Sequence, residues 1–347
     1  MNRAKNAPLP PKLTLNLELQ SRNTFGLETT AERAFEINDP AQLPALFKEI
    51  NEKHWSWRVL GGGSNVILPP NLDGATLLMN ISGQEVIRED EGNTHLAVGA
   101  GVNWHDLVAW TLNKQLPGLE NLALIPGTVG AVPIQNIGAY GVEVTQYIDG
   151  VEVFDSKTNT LITFTNEDCQ FAYRDSFFKR NPNRFIVTKV IFKLPKAWQA
   201  RVHYADLANF FSEAGNSKPS AQEIFDAVCQ IRTKKLPDPK VIGNAGSFFQ
   251  NPIVGEDQYV QLLYKFPNIV SYPDTAGKRK LAAGWLIDQC GFKGQRVGEV
   301  GVYEKQALVI VNHGNATAAD ILSLAKMIQD SVQEKFSVTL DIEPNIL

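Results

Sequence analysis

Apolar positions in this chain switch between helical and strand spacing, with turn residues at most of the changes. Leu43, Leu46, Phe47 and Ile50 recur at intervals of three and four, which buries one face of a helix. Asp39-Pro40-Ala41-Gln42 stands before them as an N-cap, a proline at the first helical position and a glutamine able to close a capping box. Pro44 removes an early donor, so the regular helix is expected to begin slightly later. A short strand then ends at Leu60, the loop Gly61-Gly62-Gly63-Ser64-Asn65 follows, and a second strand runs through Val66, Ile67 and Leu68. This is strand-loop-strand, where a dinucleotide-binding Rossmann unit is strand-loop-helix.

Further on, residues 95–98 read as a strand, and Trp104, Leu107, Val108 and Leu112 as the buried face of a helix. Residues 185–192 alternate as a half-buried strand does. Ser220 and Glu223 form a second capping box ahead of Ile224, Val228 and Ile231. Residues 307–311 predict a buried strand, followed by a helix carrying Ile321, Leu324, Ile328 and Val332. The class is mixed α+β, without internal repeats. Boundaries near Gln84 and Lys235 divide the chain into 1–83, 84–234 and 235–347.

Composition narrows the function classes. At 347 residues the chain is long for one core, and its hydrophobic share of 44% and charged share of 20% are those of an ordinary globular protein. A net charge of -4 argues against general nucleic-acid binding, which needs a basic face. Cys169, Cys229 and Cys290 are odd in number and widely separated, so they read as reduced thiols of a cytoplasmic protein. Residues 1–11 read as a loose, proline-rich tail, and Pro8, Pro10 and Pro11 stand where a signal peptide needs an apolar run. No segment is apolar for long enough to predict membrane insertion. The five histidines, His54, His95, His105, His203 and His313, show no ligand spacing, and no metal site is expected.

Candidate chemistry lies in three glycine-rich stretches. Gly61 to Asn65 and Pro126-Gly127-Thr128-Val129-Gly130 each suit a close backbone approach to a ligand, or a plain turn. Neither is a Walker loop or a dinucleotide fingerprint. Gln135, Asn136, Gly138, Ala139 and Tyr140 follow the second loop and shift the balance toward a large phosphate-bearing cofactor. The third stretch, Gly243 to Asn251, holds the hydroxyl of Ser247 in a glycine-flanked turn. Two roles stand open for it, a turn residue or a proton donor.

Gly61 to Asn65, Ile125 to Gly141, Tyr173-Arg174-Asp175-Ser176, Gly243 to Asn251 and Ala282 to Asp288 together resemble the UDP-N-acetylenolpyruvoylglucosamine reductases, flavoenzymes of peptidoglycan precursor synthesis. The resemblance covers nearly the whole chain after the tail. It implies an FAD-binding fold of the vanillyl-alcohol oxidase type, built from 1–83 and 84–234, with 235–347 as a substrate-binding domain whose last strand returns to the active site. FAD would lie against Gly61, Gly62, Gly63, Ser64, Asn65, Pro126, Gly127, Thr128, Gly130, Gln135, Asn136, Gly138, Ala139 and Tyr140. NADPH would reduce the flavin, and UDP-N-acetylglucosamine enolpyruvate would receive the hydride to become UDP-N-acetylmuramate.

By the same resemblance Ser247 matches the proton donor, and Arg174 and Glu343 match the pair that stabilises the enolate-like intermediate. Tyr140, Tyr204, Lys235, Asn251 and Gln306 match substrate-site positions. Arg232, Lys234 and Lys240 flank Lys235 as a cation cluster suited to a diphosphate. A plain surface ion pair with Asp175 is the other reading of Arg174. Ala205 stands where the family usually has glycine in the loop carrying Tyr204, which makes that loop stiffer. The chain is expected to act as a monomer. A flavin oxidase on the same fold and a non-catalytic sugar-nucleotide binder are the competing readings; the latter would be colourless when purified.

Overall fold

The computed structural model describes residues 9–275 and 277–347. The first eight residues of the expected tail lie outside the described residues. The described residues divide into two compact units, one within 1–17, 31–62 and 72–232, the other within 18–30, 63–71 and 233–347.

Two larger sheets build the first unit. One runs in the order Lys12–Glu18, Thr30–Ile37, Asn71–Met79, Trp57–Leu60, the last pair parallel. The other is antiparallel, in the order Thr160–Thr165, Ile148–Asp155, Phe185–Pro195, Asn93–Gly99, Gln84–Glu89. Helix Leu43–Glu52 buries Leu43, Leu46, Phe47 and Ile50, as its spacing demands. The capping box at Asp39 and Gln42 is formed, but it closes a 3-10 turn, Pro40–Gln42, and the α-helix starts one residue later. Helix Trp104–Asn113 buries Trp104, Leu107, Val108 and Thr111. Thr111 takes the place expected for Leu112 because it lies seven residues from Trp104, two full turns on the same face. Its hydroxyl is satisfied by the Val108 carbonyl at 2.8 Å.

In helix Ala221–Lys235 the buried face is Ile224, Ala227, Val228 and Ile231, and Ser220 and Glu223 exchange the capping-box bonds at its start. All of these apolar residues join one core in the first unit.

The second unit has its own core, around Phe248, Phe249, Leu286, Ile287 and the inner face of helix Ala318–Phe336. Gly243–Asn244, Ile310–Asn312, Val300–Val302 and Arg296–Val297 form one sheet, and Ile253–Gly255, Lys278–Leu281 and Ser271–Pro273 another. The strand expected over 307–311 is regular only from Ile310. Residues 306–309 form a turn instead, in which Val309 N–H donates to Gln306 O at 3.0 Å.

Near the C-terminus, Asn345–Ile346 pairs in parallel with Val66–Ile67, and Leu347 N–H donates to Ile67 O at 3.2 Å. The segment after Glu343 is thus fixed by a ladder. Among the described residues no helix is long and apolar enough to cross a membrane.

Candidate active site

In the first unit two glycine loops meet backbone to backbone. A Cβ placed on Gly62 would stand 2.9 Å from Gly127 Cα, and one on Gly61 would stand 2.5 Å from Thr128 Oγ1. At Gly62 the obstacle is backbone, and no side chain fits there. Pairing holds the second loop in place: Trp104 N–H donates to Gly127 O at 3.0 Å, Val129 N–H to Val102 O at 2.9 Å, and Gly130 N–H to Ala100 O at 2.8 Å. A Cβ on Gly130 would meet Ala100 Cβ at 2.7 Å, so this glycine serves packing as well. Gly127 has φ +120°, a conformation that only glycine adopts readily. The pair of loops is a bare-backbone cradle of the kind that a cofactor's phosphates and ring edges occupy.

Next comes a hairpin, Gly138–Ala139 against Val142–Glu143, turning at Tyr140 and Gly141. Both turn residues have positive φ, +49° and +78°, as a type I′ turn requires. An aromatic residue in this conformation is strained, and such strain gathers at functional sites. Asn136 (φ +42°) and Arg174 (φ +52°) share the left-handed conformation.

Asn136 is fully buried. Its amide donates to Glu143 Oε2 and to Ala172 O, both at 3.0 Å, and its Oδ1 accepts from Thr145 N–H at 3.1 Å. Its side chain thus shapes the loop from inside.

Arg174 sits in a tight turn whose ends, Ala172 and Asp175, exchange backbone bonds of 3.0 and 3.1 Å. Its guanidinium donates to Asn136 O at 3.3 Å and to Gly138 O at 2.7 Å. Asp175, the next residue, pairs with Arg180. Tyr204, 38% exposed, lies edge-on to Tyr140 with ring centroids 5.4 Å apart. Ala205 begins helix Ala205–Glu213, which explains an alanine in place of glycine.

Two residues of this unit take places that the sequence reading did not assign. Arg232 stands apart from the other cations of its cluster: its Nε is buried without a hydrogen-bond partner among the described residues, and burial lowers its pKa. It lies four residues beyond Val228 on its helix, and its charge interacts with the Tyr140 side chain. Burial raises the Tyr140 pKa, and Arg232 opposes that rise. Lys234, Lys235 and Lys240 are exposed. Asn121, the other residue, had no signal in the sequence.

In the second unit Ser247 is exposed on a turn built by its neighbours. Asn244 Oδ1 accepts from Gly246 N–H at 2.9 Å, and Gly246 has φ +71° with open space around its missing Cβ. Conformation, not room, demands that glycine. Phe248 N–H donates to Leu308 O at 2.7 Å, and Glu343 N–H donates to Phe248 O at 2.9 Å. Ser247 and Glu343 are therefore held on adjoining backbone segments. Gln250 N–H reaches Asp341 O at 2.9 Å and extends the same pairing.

Asn65, from the first glycine loop, accepts from Asn345 N–H at 3.0 Å and donates through its side chain to Glu343 O at 3.4 Å. Thr24 N–H donates to Gly63 O at 3.0 Å, which fixes that loop before Ser64. Asn251 Oδ1 accepts from Ala283 N–H at 2.9 Å, at the start of helix Ala283–Gln289. The Gln306 amide oxygen accepts from Leu308 N–H at 3.3 Å and lies beside Gly284.

Residues 31–165 match the family model described as an FAD binding domain. Residues 238–347 match the one described as UDP-N-acetylenolpyruvoylglucosamine reductase, C-terminal domain. The chain is 66% identical over 347 residues to the UDP-N-acetylenolpyruvoylglucosamine reductase of Polynucleobacter asymbioticus, covering 100% of both. It is 48% identical over 345 residues to that of Burkholderia ambifaria, covering 97% of this chain and 99% of the relative. The chain belongs to the UDP-N-acetylenolpyruvoylglucosamine reductase family. The crystal structure of the Thermus caldophilus UDP-N-acetylenolpyruvylglucosamine reductase is similar, with a TM-score of 0.64, 25% identity, and 97% of this chain and 98% of that one covered. Membership makes this chain an FAD-dependent oxidoreductase of peptidoglycan precursor synthesis, with an FAD-binding fold and an additional C-terminal domain. The Gly61-Gly62 and Gly127-Thr128 cradle, whose Gly62 backbone lies too close to Gly127 for a Cβ, fits that cofactor.

Proposed function

We propose that this reductase converts UDP-N-acetylglucosamine enolpyruvate to UDP-N-acetylmuramate at the expense of NADPH, with Ser247 as the proton donor. The observation that carries the reading is the bond from Glu343 N–H to Phe248 O, which sets Glu343 beside the segment presenting Ser247. Gly61, Gly62, Gly63, Ser64, Asn65, Pro126, Gly127, Thr128, Gly130, Gln135, Gly138 and Ala139 would hold FAD, with Asn136 supporting their loop. When bound, FAD supplies the hydride, taken from NADPH, that adds to the enolpyruvyl double bond.

Addition at the terminal carbon leaves negative charge on the carbon next to the carboxylate, and the product requires a proton there. A serine hydroxyl is a weak acid, so it suits only a strongly basic carbanion. Ser247 meets the geometric need: it is exposed, and backbone bonds on either side hold its turn. Arg174 faces the developing charge as a cation. Its bonds to the carbonyls of Asn136 and Gly138 orient the guanidinium. Glu343 acts with it. Tyr140, Tyr204, Lys235, Asn251 and Gln306 bind the sugar nucleotide, Lys235 from the exposed end of its helix. Residues 1–83 and 84–234 serve as the two FAD-binding subdomains and 235–347 as the substrate domain, in a monomer acting in the cytoplasm.

The test is Ser247→Ala. The variant is expected to keep FAD and to be reduced by NADPH, while turnover of the sugar nucleotide falls roughly a hundredfold, the scale of losing a general acid. Unchanged turnover would remove Ser247 from the mechanism.

A further inference from the structure

We propose that Asn121 is a positioning residue of the substrate site, whose one side-chain amide ties the backbone of Tyr140 to the base of the segment carrying Tyr204. The inference rests on the substrate-binding reading of Tyr204. Asn121 lies in the 3-10 turn Glu120–Leu122 and is 1% exposed. Its Nδ2 donates to Tyr140 O at 3.1 Å and to Arg201 O at 2.8 Å. Both partners are carbonyls, so the amide can face them only with its nitrogen. Its Oδ1 is buried with no hydrogen-bond partner among the described residues, an arrangement that sacrifices one acceptor to place two donors. Aspartate has the same shape and neither donor.

Tyr140 and Arg201 are the two points where this tie changes the site. The clamped carbonyl on one side belongs to the strained turn residue at φ +49°. On the other side, only Val202 and His203 separate Arg201 from Tyr204, whose ring returns to pack edge-on against the Tyr140 ring. A Cβ on Gly141 would lie 4.0 Å from Tyr204 Cβ, so the two backbones also run close. The preceding residue of the 3-10 turn supplies a second fixed point. Glu120 is buried, and its carboxyl accepts from Trp198 Nε1 at 2.6 Å and from Gly118 N–H at 2.6 Å. Consecutive side chains, Glu120 and Asn121, thus pin the segment at Trp198 and at Arg201. Tyr204 lies three residues past this root, as the N-cap of helix Ala205–Glu213, so the segment entering the helix is registered to Tyr140.

The experiment measures KM for the sugar nucleotide in the FAD-loaded enzyme, in Asn121→Asp, in Tyr204→Phe and in the double variant. Asn121→Asp is expected to raise KM about fivefold to tenfold, the scale of losing internal hydrogen bonds. In the Tyr204→Phe background it should add less than about twofold, because groups that act as one unit are not additive. An unchanged KM in Asn121→Asp, or the same factor in both backgrounds, would overturn the proposal. If Tyr204→Phe by itself left KM unchanged, the Tyr204 reading would fail, and this inference with it. Should Asn121→Asp not accumulate as a folded flavoprotein, Trp198→Phe removes one bond at the other fixed point. Its expected KM increase is about threefold, again lost in the Tyr204→Phe background, and equal factors in both backgrounds would again refute the claim.

Discussion

Replacing Gly62 by alanine tests whether the meeting of the two glycine loops is needed to hold FAD. The new Cβ would stand 2.9 Å from Gly127 Cα and 3.3 Å from Gly127 C. Carbon atoms in contact prefer about 3.5–4.0 Å, so the loops must part by roughly 0.6–1 Å. The obstacle is backbone on both sides, and no rotamer change relieves it. Forcing a methyl group into a packed site costs about 1–3 kcal/mol. If that cost falls on the cofactor-bound conformation, FAD affinity drops roughly 5-fold to 150-fold.

Gly61→Ala should cost less, because its clash at 2.5 Å is with Thr128 Oγ1, a side-chain end that can turn away. Gly255→Ala is the control, since nothing lies within 4 Å of its missing Cβ and its φ is -69°. The assay is flavin fluorescence on dilution of the FAD-loaded protein, which reports released cofactor. The expected order of FAD loss is Gly62→Ala, then Gly61→Ala, then Gly255→Ala level with the parent. FAD retention in Gly62→Ala equal to that in Gly255→Ala would refute the requirement for close approach.

Two further outcomes follow from ionisable groups outside the cradle. Asp90 is held down at about 2 by its bond from His95 and then by Asn93 N–H, so its carboxylate favours the fold above the unfolded value of about 3.9 and that contribution is lost as pH falls through about 2. Asp90→Asn is therefore expected to lower the melting temperature at pH 7, with the gap closing between pH 4 and pH 2; a gap independent of pH would contradict this. Burial pushes the Cys169 thiol up to about 12, with Asp168 adding to the rise. At pH 8 this thiol should escape alkylation in the native protein and react once urea unfolds it, as read by peptide mapping; equal labelling in both states would count against its burial.

Much of the fold was legible because local chemistry and tertiary packing agree. Both capping boxes form, and the apolar faces of helices Leu43–Glu52 and Ala318–Phe336 bury the residues that their periodicity selects. Where expectation and structure differ, a longer-range partner decides. Thr111 replaces Leu112 because helical geometry carries the buried face through it. The strand expected from Ala307 starts at Ile310 because the 306–309 turn takes those backbone groups.

The glycine loops were visible as loops, but their meeting at Gly62 and Gly127 joins residues 65 apart and leaves no local trace. Arg232 read as one of a cation cluster suited to a diphosphate; its helix position, four residues past Val228, was the signal that could have placed it inside. Asn121 carries no such signal, since both of its partners are backbone carbonyls distant in the chain. The use of Arg174 on two carbonyls was hidden for the same reason.

The most direct test of the account follows the flavin colour of the purified holoenzyme under anaerobic conditions. NADPH is expected to bleach the yellow flavin, and one equivalent of UDP-N-acetylglucosamine enolpyruvate is expected to restore it with formation of UDP-N-acetylmuramate. A flavin that NADPH bleaches but the enolpyruvyl sugar nucleotide cannot reoxidise would contradict the proposed function.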